Sequence, residues 1–93
     1  MMLEKTDKPA FLDTAGWVCY KNGDYKKAIH VLSTVIESAP ETLVYQYHLG
    51  MAYLKAGDKA AARQYLAKAV AGDTRYDGID EARETLKSVG SSQ

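Results

Sequence analysis

Apolar residues recur every three to four positions along most of this chain, which is the spacing of one face of an α-helix. The pattern is interrupted by residues that end helices or open turns, namely Gly23, Pro40, Gly57 and Gly72. No segment shows the alternation typical of a strand, so the pattern predicts an all-α chain. The expected helices cover residues 10–22, 25–38, 41–56, 59–71 and 78–89.

Two of the turns share a Gly-Asp pair, at Gly23-Asp24 and at Gly57-Asp58, and these pairs lie 34 residues apart. Glycine adopts the left-handed conformation that closes a helix, because it has no Cβ. Aspartate can accept hydrogen bonds from the first N–H groups of the next helix. Each pair therefore predicts a tight turn between two helices. A helical pattern that repeats every 34 residues predicts an array of such hairpins.

The same offset relates Gly16 to Gly50, and each lies in the middle of a predicted helix. A mid-helix glycine costs about 0.5–1 kcal/mol relative to alanine, so it indicates a contact that compensates for this cost. We expect the partner helix to approach closely at both glycines. For Gly50, that contact is the crossing of the two helices of the second hairpin.

Composition and charge narrow the classes of function. The 93 residues include 12 Lys plus Arg and 12 Asp plus Glu, so the net charge is zero. Nucleic acids and acidic membranes favour a basic face, so neither is expected as a partner. Cys19 is the single cysteine, which excludes an intrachain disulfide. No apolar run approaches the roughly 20 residues that span a bilayer.

Residues with catalytic or metal-binding chemistry are few and scattered. His30 and His48 lie on different predicted helices, without the spacing of paired metal ligands. Cys19 falls at a helix packing position, where an inert thiol is expected. No motif in the sequence would bring together a nucleophile, a general base and an oxyanion donor. We therefore expect no catalysis, no cofactor and no metal.

The repeated residues resemble the tetratricopeptide repeat family, whose pattern places small, bulky and proline residues at fixed positions of a helical hairpin. In the first copy these positions hold Gly16, Cys19, Gly23, Ala28, Leu32, Val35 and Pro40. In the second copy they hold Gly50, Tyr53, Gly57, Ala62, Leu66, Ala69 and Thr74. Cys19 replaces the usual tyrosine, and Thr74 replaces the usual proline, which indicates that the array stops there.

This resemblance implies an all-α fold, a right-handed α-solenoid of two helix-turn-helix hairpins plus a C-terminal capping helix. The expected organisation is a disordered lead-in at residues 1–8, repeats at 9–42 and 43–76, the capping helix at 77–90 and a tail at 91–93. The first repeat is also similar to the C-terminal repeats of long bacterial proteins of this family. We expect a cytoplasmic protein by default, or a periplasmic one if the chain is excised from a longer exported parent.

Members of the family usually bind peptides in a concave groove lined by the first helix of each hairpin. The resemblance places nine residues in that groove: Asp13, Trp17, Tyr20, Lys21, Tyr47, His48, Met51, Leu54 and Lys55. They lie off the packing stripes, and five are apolar or aromatic, as is common in recognition surfaces. The expected ligand is a protein or peptide segment of apolar or amphipathic character. The alternative is that helix five or an amino-terminal segment covers some of these residues as core.

Some members of the family grip a C-terminal carboxylate with Lys, Arg and Asn side chains in the groove. In this chain those places hold Asp13, Trp17 and His48. A carboxylate clamp is therefore not expected.

Two functions remain open from the sequence. A protein-interaction module would use the groove, whereas a structural segment would pack against other repeats, in a larger array or in a homodimer. Phe11 and Val18 on helix one have no expected cover, because residues 1–8 are polar, and they form the predicted self-association face. For the isolated chain we expect a weak homodimer across helix one, or else a marginally stable monomer.

Overall fold

The structure, a computed structural model, describes residues 8–71, 76 and 78–91. In these residues the chain forms five helices and no strand: α1 (Pro9–Lys21), α2 (Tyr25–Ser38), α3 (Leu43–Ala56), α4 (Lys59–Ala69) and α5 (Ile79–Ser91). This arrangement confirms the prediction of an all-α chain with two helical hairpins and a terminal helix. The predicted lead-in up to residue 7, the expected stop at Gly72 and the tail at 92–93 lie outside the described residues.

Both Gly-Asp turns have the geometry that the sequence predicts. Gly23 and Gly57 have φ of 88° and 97°, in the left-handed region where a side chain would be strained. In the first turn, the Asp24 N–H donates to the Cys19 carbonyl at 2.9 Å, and the equivalent bond of the second turn has the same length. These bonds satisfy carbonyls that the end of the helix leaves unpaired. The glycines therefore end α1 and α3.

The aspartates begin the helices that follow. Asp24 Oδ1 accepts the N–H of Lys27 at 3.3 Å, at the start of α2. Asp58 Oδ1 accepts the N–H of Ala61 at 3.1 Å, at the start of α4. Each carboxylate also lies at the positive end of a helix dipole. One dipeptide thus ends a helix and caps the next, which confirms the prediction from the repeated Gly-Asp pair.

The connection between the hairpins is longer than the sequence predicted. α3 begins at Leu43 rather than at Glu41. Pro40 and Glu41 form a turn, closed by a hydrogen bond from the Thr42 N–H to the Ala39 carbonyl at 3.3 Å. Proline suits the second position of such a turn, because its φ is already fixed near the required value. The turn therefore includes Glu41 and Thr42, two residues that the sequence pattern places in the helix.

α4 ends at Ala69, two residues before its predicted end. Its last turn is closed by the hydrogen bond from the Val70 N–H to the Leu66 carbonyl, at 3.2 Å. The Tyr76 hydroxyl donates to the Ala69 carbonyl at 2.6 Å. A carbonyl at a helix end has no partner within the helix, so this side chain replaces the bond that a longer helix would supply. The ends of α1 and α5 differ from prediction by one or two residues.

The mid-helix glycines lie where helices cross, as predicted. A Cβ at Gly16 would lie 2.7 Å from Leu32 Cγ, and one at Gly50 would lie 2.8 Å from Leu66 Cγ and 3.2 Å from the Leu66 backbone nitrogen. Carbon atoms in contact normally stay about 3.5–4.0 Å apart. Each hairpin therefore needs glycine at its crossing point.

Two groups of buried side chains form the core. The first lies where α2 packs against α1 and α3, and contains Ala28, Leu32, Leu49 and Ala52. The second lies among α3, α4 and α5, and contains Tyr47, Met51, Ala62, Leu66, Ala69 and Ala82. α3 packs against all four other helices and is the most buried of the five. α1, α3 and α5 succeed one another along one surface. We call that surface the A face.

Candidate functional site: the A face

Tyr47 and Met51 pack against α5 and are almost entirely buried. Their exposed fractions are 4% and 5%, and both belong to the core group that includes Ala82 of α5. The expectation that these two side chains are exposed is therefore wrong, and the alternative of cover by helix five applies to them. The physical reason is burial of apolar surface, since α5 removes both side chains from water.

A hydrogen bond fixes the Tyr47 ring under α5. Its hydroxyl donates to Glu81 Oε1 at 2.6 Å. Burial, followed by this hydrogen bond and the charge of Glu81, raises the pKa of Tyr47 far above its usual value. A Cβ at Gly78 would lie 2.6 Å from Tyr47 Cε2. The start of α5 therefore packs directly on this ring, which leaves no room for a ligand there.

Asp13 and His48 pair with each other across α1 and α3. Asp13 is 8% exposed, and its Oδ1 lies 2.7 Å from His48 Nδ1. A carboxylate accepts hydrogen bonds, so His48 Nδ1 is the donor. Counting side-chain atoms alone, each of the two residues is 12% exposed. The sequence predicted both as separate groove contacts, but the structure joins them as a link between the two repeats.

An aromatic stack follows this pair along the A face. The ring of Trp17 stacks on that of His48, with centroids 4.0 Å apart, and on that of Tyr20, with centroids 4.3 Å apart and an interplanar angle of 1°. Tyr25 of α2 extends the row, with its ring centroid 5.8 Å from that of Tyr20. Lys21 Nζ lies 5.9 Å from the Trp17 ring centroid. We call His48, Trp17, Tyr20 and Tyr25 the aromatic stack.

The side chains of the aromatic stack are neither fully buried nor fully exposed. Trp17 and Tyr20 pack their inner sides against the core group that contains Tyr47 and Met51. Burial raises the pKa of Tyr20, and the charge of Glu81 adds to the effect. Tyr25 is not among the site residues predicted from the sequence, because it lies on the second helix of its hairpin and the groove was expected along the first. Its one sequence signal is an aromatic side chain beside the packing stripe of α2.

The remaining predicted groove residues border a cleft between α3 and α5. Leu54 is half-buried, whereas Lys55 is exposed, as is Lys21 beside the aromatic stack. The cleft has a volume of about 390 Å³ and is lined by Met51, Leu54, Lys55, Lys59, Glu84, Thr85, Ser88 and Val89. The residues of α5 that form one wall of this cleft were not predicted from the sequence. A signal for it was present, since Ser88 and Val89 lie one 34-residue period after Leu54 and Lys55.

The other side chains that could act as metal ligands or nucleophiles lie apart from the A face. His30 is exposed on α2, and Cys19 is half-buried against the first core group. Within the described part of the chain, no three side chains of His, Cys, Asp or Glu come together as a metal site. None of the described helices has both the length and the apolar character required to cross a membrane.

The outer face of α1 carries the predicted self-association residues. Phe11 and Val18 are 59% and 51% exposed. Ala52, which lies one period after Val18, is fully buried in the group that α2 shares with α3. The face of α3 that corresponds to the exposed face of α1 is therefore covered by a helix. Self-association through Phe11 and Val18 stays a prediction.

Comparison with known proteins identifies one family. A sequence model described as the tetratricopeptide repeat matches residues 14–77, more than half of the chain. The match includes both Gly-Asp turns and both glycines at the helix crossings. No curated protein matches the chain. Tetratricopeptide repeats are generally non-catalytic modules for interactions between proteins.

Proposed function

Because the chain belongs to the tetratricopeptide repeat family, we propose that it is a protein-interaction module that binds a partner peptide along its A face. The proposed contacts are the groove residues that the fold leaves accessible: Trp17, Tyr20, Lys21, Leu54 and Lys55. The observation that carries the proposal is the half-exposed aromatic stack. Tyr47 is excluded from the contact surface, because α5 covers it, and Met51 is reached only at the floor of the cleft between α3 and α5.

The stack has the physical properties of a recognition surface. Tyrosine and tryptophan bury a large area and offer a polar group, and they dominate the binding energy of many interfaces. Stacking holds Trp17 between His48 and Tyr20 before any ligand arrives. A side chain that is already ordered loses less conformational entropy on binding. An apolar or amphipathic segment, extended or helical, fits this surface best.

Positively charged side chains at the edges of the A face would orient a ligand that carries negative charge. Lys21 and Lys55 lie 34 residues apart at equivalent positions of α1 and α3, and both are exposed. The carboxylate of Asp13 is buried against His48, so the exposed charges at these edges are those of the two lysines. The proposed ligand therefore carries acidic residues beside its apolar ones.

The proposal is tested with peptides selected from a phage-displayed random library against the purified chain. Binding of a selected peptide is measured by titration calorimetry for the unchanged protein and for Tyr20→Ala and Lys21→Glu. We expect each variant to bind at least about tenfold more weakly. Lys27→Glu, a charge reversal at an exposed position of α2, is the control and should bind normally. Unchanged affinity in both Tyr20→Ala and Lys21→Glu would overturn the proposal.

A second candidate function is a structural segment within a larger array or a homodimer. The observation in its favour is the exposure of Phe11 and Val18, large apolar side chains on one face of α1. Along the chain, the equivalent face of α3 is covered by α2. A helix of another repeat, or α1 of a second copy, would cover the face of α1 in the same way.

A further inference from the structure

The internal repeat allows the two spaces between successive A-face helices to be compared within one molecule. Between α1 and α3, the side chains of Trp17 and Tyr20 pack across to the core group that contains Tyr47 and Met51 of α3. Tyr25 continues this row of rings. The first space is therefore filled by aromatic side chains of the chain itself.

The second space, between α3 and α5, lacks these rings. One period after Trp17, Tyr20 and Tyr25, the sequence has Met51, Leu54 and Lys59. These three residues line the cleft of about 390 Å³. The volume lies at the lower end of the range of ligand sites. Replacement of flat rings by aliphatic chains thus leaves a space at the place where the other repeat holds an aromatic side chain.

We propose that this cleft accepts an aromatic side chain of the partner peptide, with an acidic residue next to it. The inference rests on the proposed function and specifies the ligand. The aromatic ring would take the position in the second repeat that the Tyr20 and Tyr25 rings take in the first. The cleft is the pocket for one anchoring side chain, and the aromatic stack is the neighbouring contact surface.

The floor of the cleft suits an aromatic ring. Met51 and Val89 are buried, with exposed fractions of 5% and 6%, and Leu54 is half-buried. The thioether of methionine is polarisable and makes favourable contacts with aromatic rings. A ring placed here would gain burial on three apolar side chains. Thr85 and Ser88 of α5 form the opposite wall and offer hydroxyl groups to the edge of the ligand.

Charges at the mouth of the cleft indicate the acidic neighbour. Lys55 and Lys59 lie on the wall formed by α3 and the start of α4, and Glu84 lies on the wall formed by α5. Among the described residues, neither lysine has an ion-pair partner within 4.0 Å. Two ammonium groups and one carboxylate give the mouth a net positive charge. An acidic residue beside the aromatic anchor is complementary to it.

The test uses a defined probe, the peptide acetyl-Gly-Asp-Phe-Asp-Gly-amide, titrated into the isotope-labelled full chain and followed by amide chemical shifts. We expect saturable shifts at residues 54–59 and 84–89. A peptide with Ala in place of Phe and one with Lys in place of both Asp are the matched probes. Both should bind at least about tenfold more weakly.

Variants of the cleft separate this binding from non-specific contact. Ser88→Trp fills the cleft and should abolish the shifts, whereas Glu37→Trp, at an exposed position of α2, should leave them unchanged. Lys59→Glu should weaken binding about tenfold, with Lys26→Glu as its control. Helical circular dichroism and melting temperature establish that each variant folds. Lys59→Glu keeps the test decisive if Ser88→Trp does not fold.

The possible failures are distinct. Shifts confined to residues 13–25 would overturn the cleft as the aromatic site and leave the A-face proposal standing. Equal binding of the Phe and Ala probes would overturn the aromatic specificity. If the Phe probe causes no shifts while a library-selected peptide still depends on Tyr20 and Lys21, the inference about the cleft fails alone. If that dependence is also missing, the proposed function fails with it.

Discussion

The Tyr47 hydroxyl and Glu81 Oε1 lie 2.6 Å apart, and the two residues are separated by 34 positions, one period of the repeat. The Asp13–His48 pair joins the preceding two helices of the A face and spans 35 positions. Successive helices of this surface are therefore each linked by one side-chain hydrogen bond, with different chemistry and a spacing that differs by one residue. The first link leaves the aromatic stack half-exposed, while the second buries Tyr47 and anchors α5.

We expect Tyr47→Phe to lower the free energy of unfolding by about 1–2 kcal/mol, because it removes a hydrogen bond to a carboxylate. Urea denaturation followed by helical circular dichroism measures the change. Tyr53→Phe is the matched control, since the described residues include no hydrogen-bond partner for the Tyr53 hydroxyl. Equal losses in the two variants would show that the bond to Glu81 contributes nothing specific.

The raised pKa of Tyr47 predicts a loss of stability at alkaline pH. Below its usual value of 10.0, the phenol is neutral in both the folded and the unfolded chain, and the contribution of the group is complete. Above that pH, the unfolded chain ionises first and binds fewer protons than the folded one. The free energy of unfolding then falls, by up to about 1.4 kcal/mol per pH unit for this group.

The measurement compares the unchanged protein with Tyr47→Phe between pH 7 and about pH 12. Tyr20, Tyr45 and Tyr76 also have raised pKa values, chiefly through burial, and they titrate in both proteins. The stability difference between the two proteins should therefore be constant up to about pH 10 and shrink above it. A difference that stays constant to pH 12 would contradict the assignment.

Gly50→Leu should lower the free energy of unfolding by about 1–3 kcal/mol, because a side chain would enter the crossing of α3 and α4. The Leu66 backbone nitrogen, 3.2 Å from the position of the new Cβ, cannot move away as a side chain can. Thermal denaturation measures the effect, with Ala67→Leu, at an exposed position of α4, as the control. A Gly50→Leu protein that melts at the temperature of the unchanged protein, or above it, contradicts this close contact.

The exposed face of α1 predicts concentration-dependent assembly of the isolated chain. We expect sedimentation equilibrium to show a weak dimer, and the melting temperature to rise with protein concentration. Phe11→Glu should abolish both effects, because it places a charge at the centre of the apolar face. A strictly monomeric protein, with a melting temperature independent of concentration, rules out the dimer. A dimer that Phe11→Glu leaves intact moves the interface elsewhere.

The sequence predicted the fold correctly where local turn-forming residues and the 34-residue repeat indicated the same structure. The Gly-Asp pairs determine both turns, and the offset from Gly16 to Gly50 identified both helix crossings. The end of α4 differed from the prediction because it depends on a hydrogen bond that no local pattern shows. The Tyr76 hydroxyl donates this hydrogen bond to the Ala69 carbonyl at the end of α4, and the two residues are seven positions apart.

The site was harder to predict, because exposure is a property of the assembled helices. Tyr47 and Met51 lie off the predicted packing stripe of α3, and they are buried by the side chains of α1, α4 and α5 that pack around them. Continuing the 34-residue register past residue 76 would have placed Glu81 opposite Tyr47. The pairing of Asp13 with His48 has no comparable signal, since both residues are common on exposed helix surfaces.

The chain contains a direct reporter of peptide binding at the aromatic stack of the A face. Trp17 is the single tryptophan, and its ring stacks on those of His48 and Tyr20. Titration with a library-selected peptide that lacks tryptophan is followed by Trp17 fluorescence and, in parallel, by calorimetry. If the peptide binds at the aromatic stack, we expect a saturable shift of the emission to shorter wavelength, with the same dissociation constant by both methods. Calorimetric saturation with unchanged Trp17 emission would contradict binding at the stack.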